Sequence, residues 1–504
     1  MPSDGEPLPV SGIGRQMAKS TGWTVGARIG VQAIGVVSTM ILARVLVPAD
    51  FGLVALATTT STALQALSEF SLDVVLIQNQ SADRADYDTA WTLSVLRNLV
   101  LACCLAFFAR TLSGFFEDAR LEPIIYILAG LTVLDGCQNI GIVDFRKNLA
   151  FHKDLTFMIL SKLGGFFVTV PLAFLWRDYW ALVVGIAAGT LARFGLSFVM
   201  HHYRPRFSVA RWRHIMHFSK WLLLNNICGF IFSRSDTVML GRFTGVQAVG
   251  IYNIASEIAG LVTANLLAPL RRAIFPGYAK VANDPESLRK AYIDVLALVV
   301  LGGTPIVLGI GLVAEPLVRL MLGPQWLASI PLIEILSLNS FLALLTAGAS
   351  PIFLATGHPR YIMWVQGLSS IFLLPALFVG VWFGGALGAA WAMFATGCVA
   401  ISMDLPLILR LLNLPVSRVL AASWRPMVAA IALAAVVKAI ERHWGPLQSS
   451  LASAELLAVT LCGGAFFYVL VAVVLWSICG RPDGAERNTI NAFVWLWHKA
   501  TRRA

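Results

Sequence analysis

Apolar residues run along this chain in long blocks divided by short polar breaks. The blocks fall at 21–43, 50–71, 88–109, 121–143, 155–176, 180–201, 217–239, 248–270, 292–313, 328–355, 361–382, 386–409, 422–440 and 452–479. A helix of about 20 apolar residues spans a bilayer, so the pattern predicts about 14 transmembrane helices. Strands of a membrane barrel would instead show alternating segments of roughly 10 residues. The breaks carry turn chemistry, as in Val47-Pro48-Ala49-Asp50, Ser81-Ala82-Asp83-Arg84, Asn283-Asp284-Pro285 and Thr356-Gly357-His358-Pro359. None exceeds about 25 residues, too few to bury a separate core. The expected class is therefore an all-α integral membrane protein.

The chain also repeats itself. Shifted by 198 positions, segment 21–57 lies on 219–255 without a gap, pairing Trp23 with Trp221, Ile29 with Ile227, Thr39 with Thr237, Leu42 with Leu240, Arg44 with Arg242, Gly52 with Gly250 and Ala57 with Ala255. Six spans separate the copies, an even number, so both halves point the same way. Parallel repeats of this kind occur in transporters that rock two bundles about a central site. The expected organisation is an N-tail (1–20), a six-helix bundle (21–203), a basic linker (204–216), a second six-helix bundle (217–412), two additional helices (413–480) and a C-tail (481–504).

Composition narrows the class. Of the 504 residues, 58% are hydrophobic and 13% charged. A soluble domain carries about a quarter charged residues, and a disordered chain more still. The net charge of +11 is read as a positive-inside bias rather than a nucleic-acid surface. With a cytoplasmic N-terminus, the loops and tails place 24 Lys and Arg inside and 8 outside. Both termini are thus expected in the cytoplasm. One inner loop disagrees, since 81–88 holds Asp83, Asp86 and Asp88 against Arg84 alone. The first apolar run starts near Thr21 without a small-residue cleavage site, so no cleaved leader is expected. The seven cysteines lie in apolar runs without CxxC spacing and read as small buried hydrophobes.

Ionisable groups inside spans are functional candidates, against the alternative that a long base snorkels to the interface. Six bases fall in spans: Arg28, Arg97, Lys162, Arg193, Lys220 and Arg234, four of them in the first half. Arg97 lies mid-span and is read as cavity-facing. Arg28, Lys162 and Arg193 stand nearer the interface, where both readings stay open, and Lys220 is interfacial. The first half sets these bases against Glu69, Asp73 and Asp135, and a cationic chamber suits an anion such as a diphosphate. Arg234 and Asp236 share the outer end of the seventh span, as a pair or a substrate contact. The second half holds Glu257, Asp294, Glu334 and Asp404. Intramembrane carboxylates relay protons or bind Na⁺ in transporters, so Asp236, Glu257, Asp404 and Glu69 are the ion-coupling candidates. No GxxxxGK[ST], HExxH or GxSxG occurs, and the eight histidines show no ligand spacing; no enzyme activity, cofactor or metal is expected. Two segments, 145–151 and 204–213, mix bases with Phe, Leu or Trp and suit a helix or strand on an anionic leaflet.

The stretch Leu42-Ala43-Arg44-Val45-Leu46-Val47-Pro48-Ala49-Asp50-Phe51-Gly52-Leu53 resembles the first loop of the WzxC-like polysaccharide flippases, in the multidrug/oligosaccharidyl-lipid/polysaccharide exporter superfamily. Asp144-Phe145-Arg146-Lys147-Asn148-Leu149-Ala150-Phe151, Tyr179-Trp180-Ala181-Leu182-Val183, Arg204-Pro205-Arg206, Asp236-Thr237-Val238-Met239-Leu240-Gly241-Arg242, Val249-Gly250-Ile251-Tyr252, Phe275-Pro276 and Leu322-Gly323-Pro324-Gln325-Trp326 extend the likeness over residues 15–400. The resemblance implies a V-shaped pair of six-helix bundles with alternating access, in a bacterial inner membrane. It implies a cargo of undecaprenyl-diphosphate-linked oligosaccharide repeat units, moved from the cytoplasmic to the periplasmic leaflet for exopolysaccharide, capsule or O-antigen. Membrane lipids, a polysaccharide polymerase and chain-length proteins are the implied partners, with Na⁺ or H⁺ as coupling ion. Arg28 and Arg97 fall where such flippases place cavity bases, and Asp236 in a seventh-helix Asp motif. Ser71-Leu72-Asp73 departs from the family pattern, which leaves the role of Asp73 open. Two other readings remain: a cation-coupled multidrug exporter of the same superfamily, and a membrane glycosyltransferase or polymerase, for which the outer loops are short.

Overall fold

The computed structural model describes residues 30–68, 72–79, 81–148, 150–211, 229–263, 267–444, 450–480 and 487. Among these there is no strand. The chain forms two compact units, 1–250 and 251–504.

The first unit holds α1 (Gly30–Val45), α2 (Pro48–Ala66), α3 (Leu72–Gln78), α4 (Arg84–Phe115), α5 (Leu121–Gly136), a 3-10 turn at Ile140–Ile142 leading into α6 (Val143–Lys147), α7 (Phe151–Trp176), α8 (Trp180–Met200), α9 (229–243) and the first turn of α10 (Val246–Val262). The rest of α10 opens the second unit. There follow α11 (Ala268–Val281), α12 (Pro285–Leu312), α13 (Ala314–Met321), a 3-10 turn at Pro324–Ser329, α14 (Ile330–Leu345), α15 (Ala349–Ala355), α16 (Pro359–Leu412), α17 (Val416–Trp444) and α18 (Ser450–Ile478).

Eight described helical stretches are long and apolar enough to cross a membrane, or nine counting the α5–α6 pair, which bends by 65°. Each expected span overlaps a described helix, which is compatible with the expected fourteen. Turn signals became caps: Pro48 occupies the first position of α2, and the Asp50 carboxylate accepts the Val47 N–H at 3.1 Å. Two spans have an interrupted helix. Span 328–355 divides at Thr346–Gly348, where Pro351 in the first turn of α15 has no N–H to continue α14. Span 121–143 bends at Asn139, whose Oδ1 accepts the Gly141 N–H at 2.9 Å and so starts the next turn. Spans 361–382 and 386–409 join in α16, which reverses at Gly385 (φ 55°, ψ −134°). A Cβ added at Gly388 would lie 1.8 Å from the Gly380 carbonyl oxygen, so the two arms fold back on each other. In a straight helix those residues would stand about 12 Å apart.

The repeat has a physical counterpart in the first unit. A Cβ on Gly52 would lie 1.7 Å from the Val246 carbonyl oxygen, and one on Gly250 would lie 1.8 Å from the Pro48 carbonyl oxygen. The 198-residue shift carries Gly52 onto Gly250 and Pro48 onto Val246, so each contact is the counterpart of the other, and the approach of α2 to the first turn of α10 is self-complementary.

In the second unit, α17 and α18 pack on α12. Pro305 inside α12 has no N–H, which leaves the Leu301 carbonyl without its helical donor. The Tyr468 hydroxyl of α18 donates to that carbonyl at 2.9 Å. In lipid no water replaces a lost donor. Tyr468→Phe is expected to cost about 1 kcal/mol and lower the thermal unfolding temperature of the purified protein.

Candidate functional site

Close packing of small residues sets the level of the candidate bases. Gly165 of α7 meets Gly189 of α8, where a Cβ on Gly165 would stand 3.5 Å from the Gly189 Cα. Gly164 faces Ala192, and Gly185 admits the Thr169 side chain. Glycines spaced four apart let helix backbones approach closely in a bilayer. Lys162 therefore leaves α7 and Arg193 leaves α8 beside one tight seam. Lys162 reaches across to α1, where a Cβ on Gly35 would lie 4.0 Å from its Nζ. The Arg193 guanidinium stands 3.8 Å from the Asp135 carboxylate of α5, and Gln138 donates to the same carboxylate at 2.7 Å. Arg193 is thus balanced by Asp135, which the sequence does not reveal.

Arg97 is half-buried on α4. Its neighbour Asn98 fills the notch at Gly136, where an added Cβ would come within 2.6 Å of Asn98 Cβ. That contact brings Arg97 to the level of Asp135 and Arg193. Arg28 and Glu69 lie outside the described residues. Arg234 is exposed on α9 and makes no ion pair among the described residues. Asp236 is buried, and its Oδ1 accepts the Thr237 N–H at 2.6 Å. Glu257 is exposed on α10, and Asp404 is half-buried on α16. Among the described residues no His, Cys, Asp and Glu cluster suits a metal. Asp73 stands 3.8 Å from Arg146, whose guanidinium also meets Asp154 at 3.3 Å.

The acids that disturb the charge bias of loop 81–88 have a structural role. They receive the linker after α8. Residues 201–209 are non-helical, with a turn at 210–211. Pro205 fixes its own φ and biases Arg204 towards extended backbone. The Arg206 N–H donates to Asp88 Oδ1 at 2.9 Å, and the Ser208 N–H to Thr92 Oγ1 at 2.9 Å. The Tyr203 hydroxyl donates to Asp88. The Arg211 guanidinium meets Asp83 at 2.7 Å and Asp86 at 3.5 Å. Phe207 lies 4.9 Å from the Trp91 ring, centroid to centroid. The segment is therefore a strap laid over the first turns of α4.

Burial and then the Asp88 bond push the Tyr203 hydroxyl far up, so it stays a protonated donor. The Asp86 amide and then Arg211 hold Asp83 below the ordinary carboxylate range. A depressed folded value contributes stability above the unfolded value and loses it as pH falls through the folded one. Amide protection at Arg211 should therefore hold from neutral pH to about pH 5 and fall only below about pH 4, read as hydrogen-exchange protection factors.

The profile of a family described as "Polysaccharide biosynthesis protein" matches residues 41–331. The chain belongs to this family. It is 25% identical over 472 residues to "Succinoglycan biosynthesis transport protein ExoT" of Rhizobium meliloti (strain 1021), covering 93% of this chain and 95% of that protein. It is 25% identical over 373 residues to "Lipopolysaccharide biosynthesis protein WzxC" of Escherichia coli (strain K12), covering 73% and 75%. The solved structure "Lipid II flippase MurJ, inward closed conformation" superposes with a TM-score of 0.72 at 12% identity, over 90% of this chain and 99% of that one. That likeness establishes the fold. The protein is a multi-pass membrane protein.

Proposed function

We propose that this protein is a flippase for undecaprenyl-diphosphate-linked oligosaccharides, working by alternating access in a bacterial inner membrane with both termini in the cytoplasm. The observation that carries this reading is the match, over nearly the whole length of both chains, to a transport protein of polysaccharide biosynthesis. The bases on α4, α7 and α8 support it with chemistry. Arg28, Arg97, Lys162 and Arg193 hold the diphosphate by charge-assisted hydrogen bonds, with Arg234 a further contact. The polyprenyl tail stays in lipid. The working halves are the bundles 21–203 and 217–412, with 413–480 outside the repeat. Asp236, Glu257, Asp404 and Glu69 are the groups through which a Na⁺ or H⁺ gradient drives the cycle. A polymerase and chain-length proteins take the product on the far side.

A deletion strain tests the function. Loss of surface polysaccharide with lipid-linked repeat units retained in the cytoplasmic leaflet is the expected result. Normal surface polysaccharide, or altered drug susceptibility alone, would contradict it.

A further inference from the structure

The strap and the Arg193–Asp135 pair are joined by one fully buried residue, Asn139, at the 65° bend between α5 and the following turn. Its side chain donates to the Tyr203 carbonyl at 2.7 Å and to the His201 carbonyl at 3.4 Å, both on the strap. Its own N–H donates to the Ser197 hydroxyl at 3.0 Å, one turn beyond Arg193 on α8. The preceding residue, Gln138, holds Asp135. His201 adds a second tie, with Nε2 3.3 Å from Asp144 and Nδ1 accepting the Tyr203 N–H at 3.2 Å. Asn139 and Ser197 are fully buried, and both the amide oxygen and the amide nitrogen of Asn139 are bonded, so this joint has few alternative arrangements.

From this geometry we infer that the strap is a positioning element for the candidate site. Latched by Asp88, it sets through Asn139 where the α5 end holds Asp135 against Arg193. The inference rests on the flippase reading for its substrate, but the mechanical link does not.

Asn139→Asp tests the joint. It keeps the side-chain volume and the Oδ1 acceptor for Gly141, and it removes the donor to Tyr203. Tyr203→Phe tests the latch by deleting only the hydroxyl on Asp88. Cys137 stands between Asp135 and Asn139, is half-buried, and reports the bend without any substrate. Peptide-resolved maleimide labelling of the full-length protein in lipid nanodiscs should show Cys137 reacting about fivefold faster in both variants, with exposed Cys479, just beyond the end of α18, unchanged. Binding of undecaprenyl diphosphate should weaken about tenfold in both. In an Arg193→Gln background the same substitutions should weaken binding no further, as expected of groups acting through one residue.

Unchanged Cys137 labelling overturns the inference, whatever transport does. Additive loss of binding in the Arg193→Gln background also overturns it, because the strap would then support the fold generally. Raised Cys137 labelling with Arg193→Gln alone leaving binding intact supports the link and instead defeats the substrate site.

Discussion

Replacing either Gly52 or Gly250 with alanine is expected to remove nearly all folded protein from the membrane. Each added methyl would fall within 1.8 Å of a main-chain carbonyl oxygen on the facing helix. Backbone cannot swing aside as a side chain does, so α2 and α10 would have to separate. Overpacking costs about 1–3 kcal/mol where neighbours can adjust, and this contact exceeds that range. Total stability of a folded protein is only about 5–15 kcal/mol. Gly114→Ala and Gly130→Ala are matched controls, since a Cβ there meets nothing within 4 Å. Size-exclusion profiles and unfolding temperatures of the four variants give the answer. A monodisperse Gly52→Ala protein with unchanged unfolding temperature would refute the crossing.

Arg97→Ala should abolish polysaccharide export while leaving the amount of protein in the membrane unchanged, and Arg28→Ala should do the same. Arg97 is half-buried at the level of the Arg193–Asp135 pair, where its guanidinium can meet a phosphate with two parallel hydrogen bonds. A charge-assisted bond of this type contributes about 1.5–3 kcal/mol, or roughly tenfold to more than a hundredfold in affinity. Arg97→Lys keeps the charge without the fork and should retain partial export. Lys438, paired at 3.0 Å with Glu441 on an exposed stretch of α17, is the control whose loss leaves export intact. Surface polysaccharide and immunoblots of the membrane fraction check both halves of the prediction. Full export in Arg97→Ala would remove Arg97 from the site.

The spans were legible because about 20 apolar residues in a row have one stable destination. The turn at Val47-Pro48-Ala49-Asp50 was legible because Pro and Asp open helices by local chemistry. The repeat was visible as Gly52 over Gly250, although the reason for glycine there needs the facing backbone. Contacts between distant segments were not legible. Asp83, Asp86 and Asp88 stood out as an exception to the charge bias, yet their partners lie more than a hundred residues on, at Tyr203, Arg206 and Arg211. A complementary basic linker was the available signal, and it read instead as a membrane-surface segment. Asp135 opposite Arg193, Arg146 opposite Asp73, and Tyr468 under the Leu301 carbonyl likewise depend on helix packing that no local pattern encodes. At Gly385 the sequence marked a gap between two spans, and only the backbone shows that this gap is a hairpin.

Leaflet exchange of a lipid-linked oligosaccharide by the purified protein in proteoliposomes is the most direct test of the central claim, that intramembrane bases carry a sugar diphosphate across the bilayer. Wild-type protein should move the lipid-linked oligosaccharide to the opposite leaflet, and the Arg97→Ala, Lys162→Ala double variant should not exceed empty liposomes. Equal exchange by wild-type and double variant, or none by wild-type protein, would contradict it.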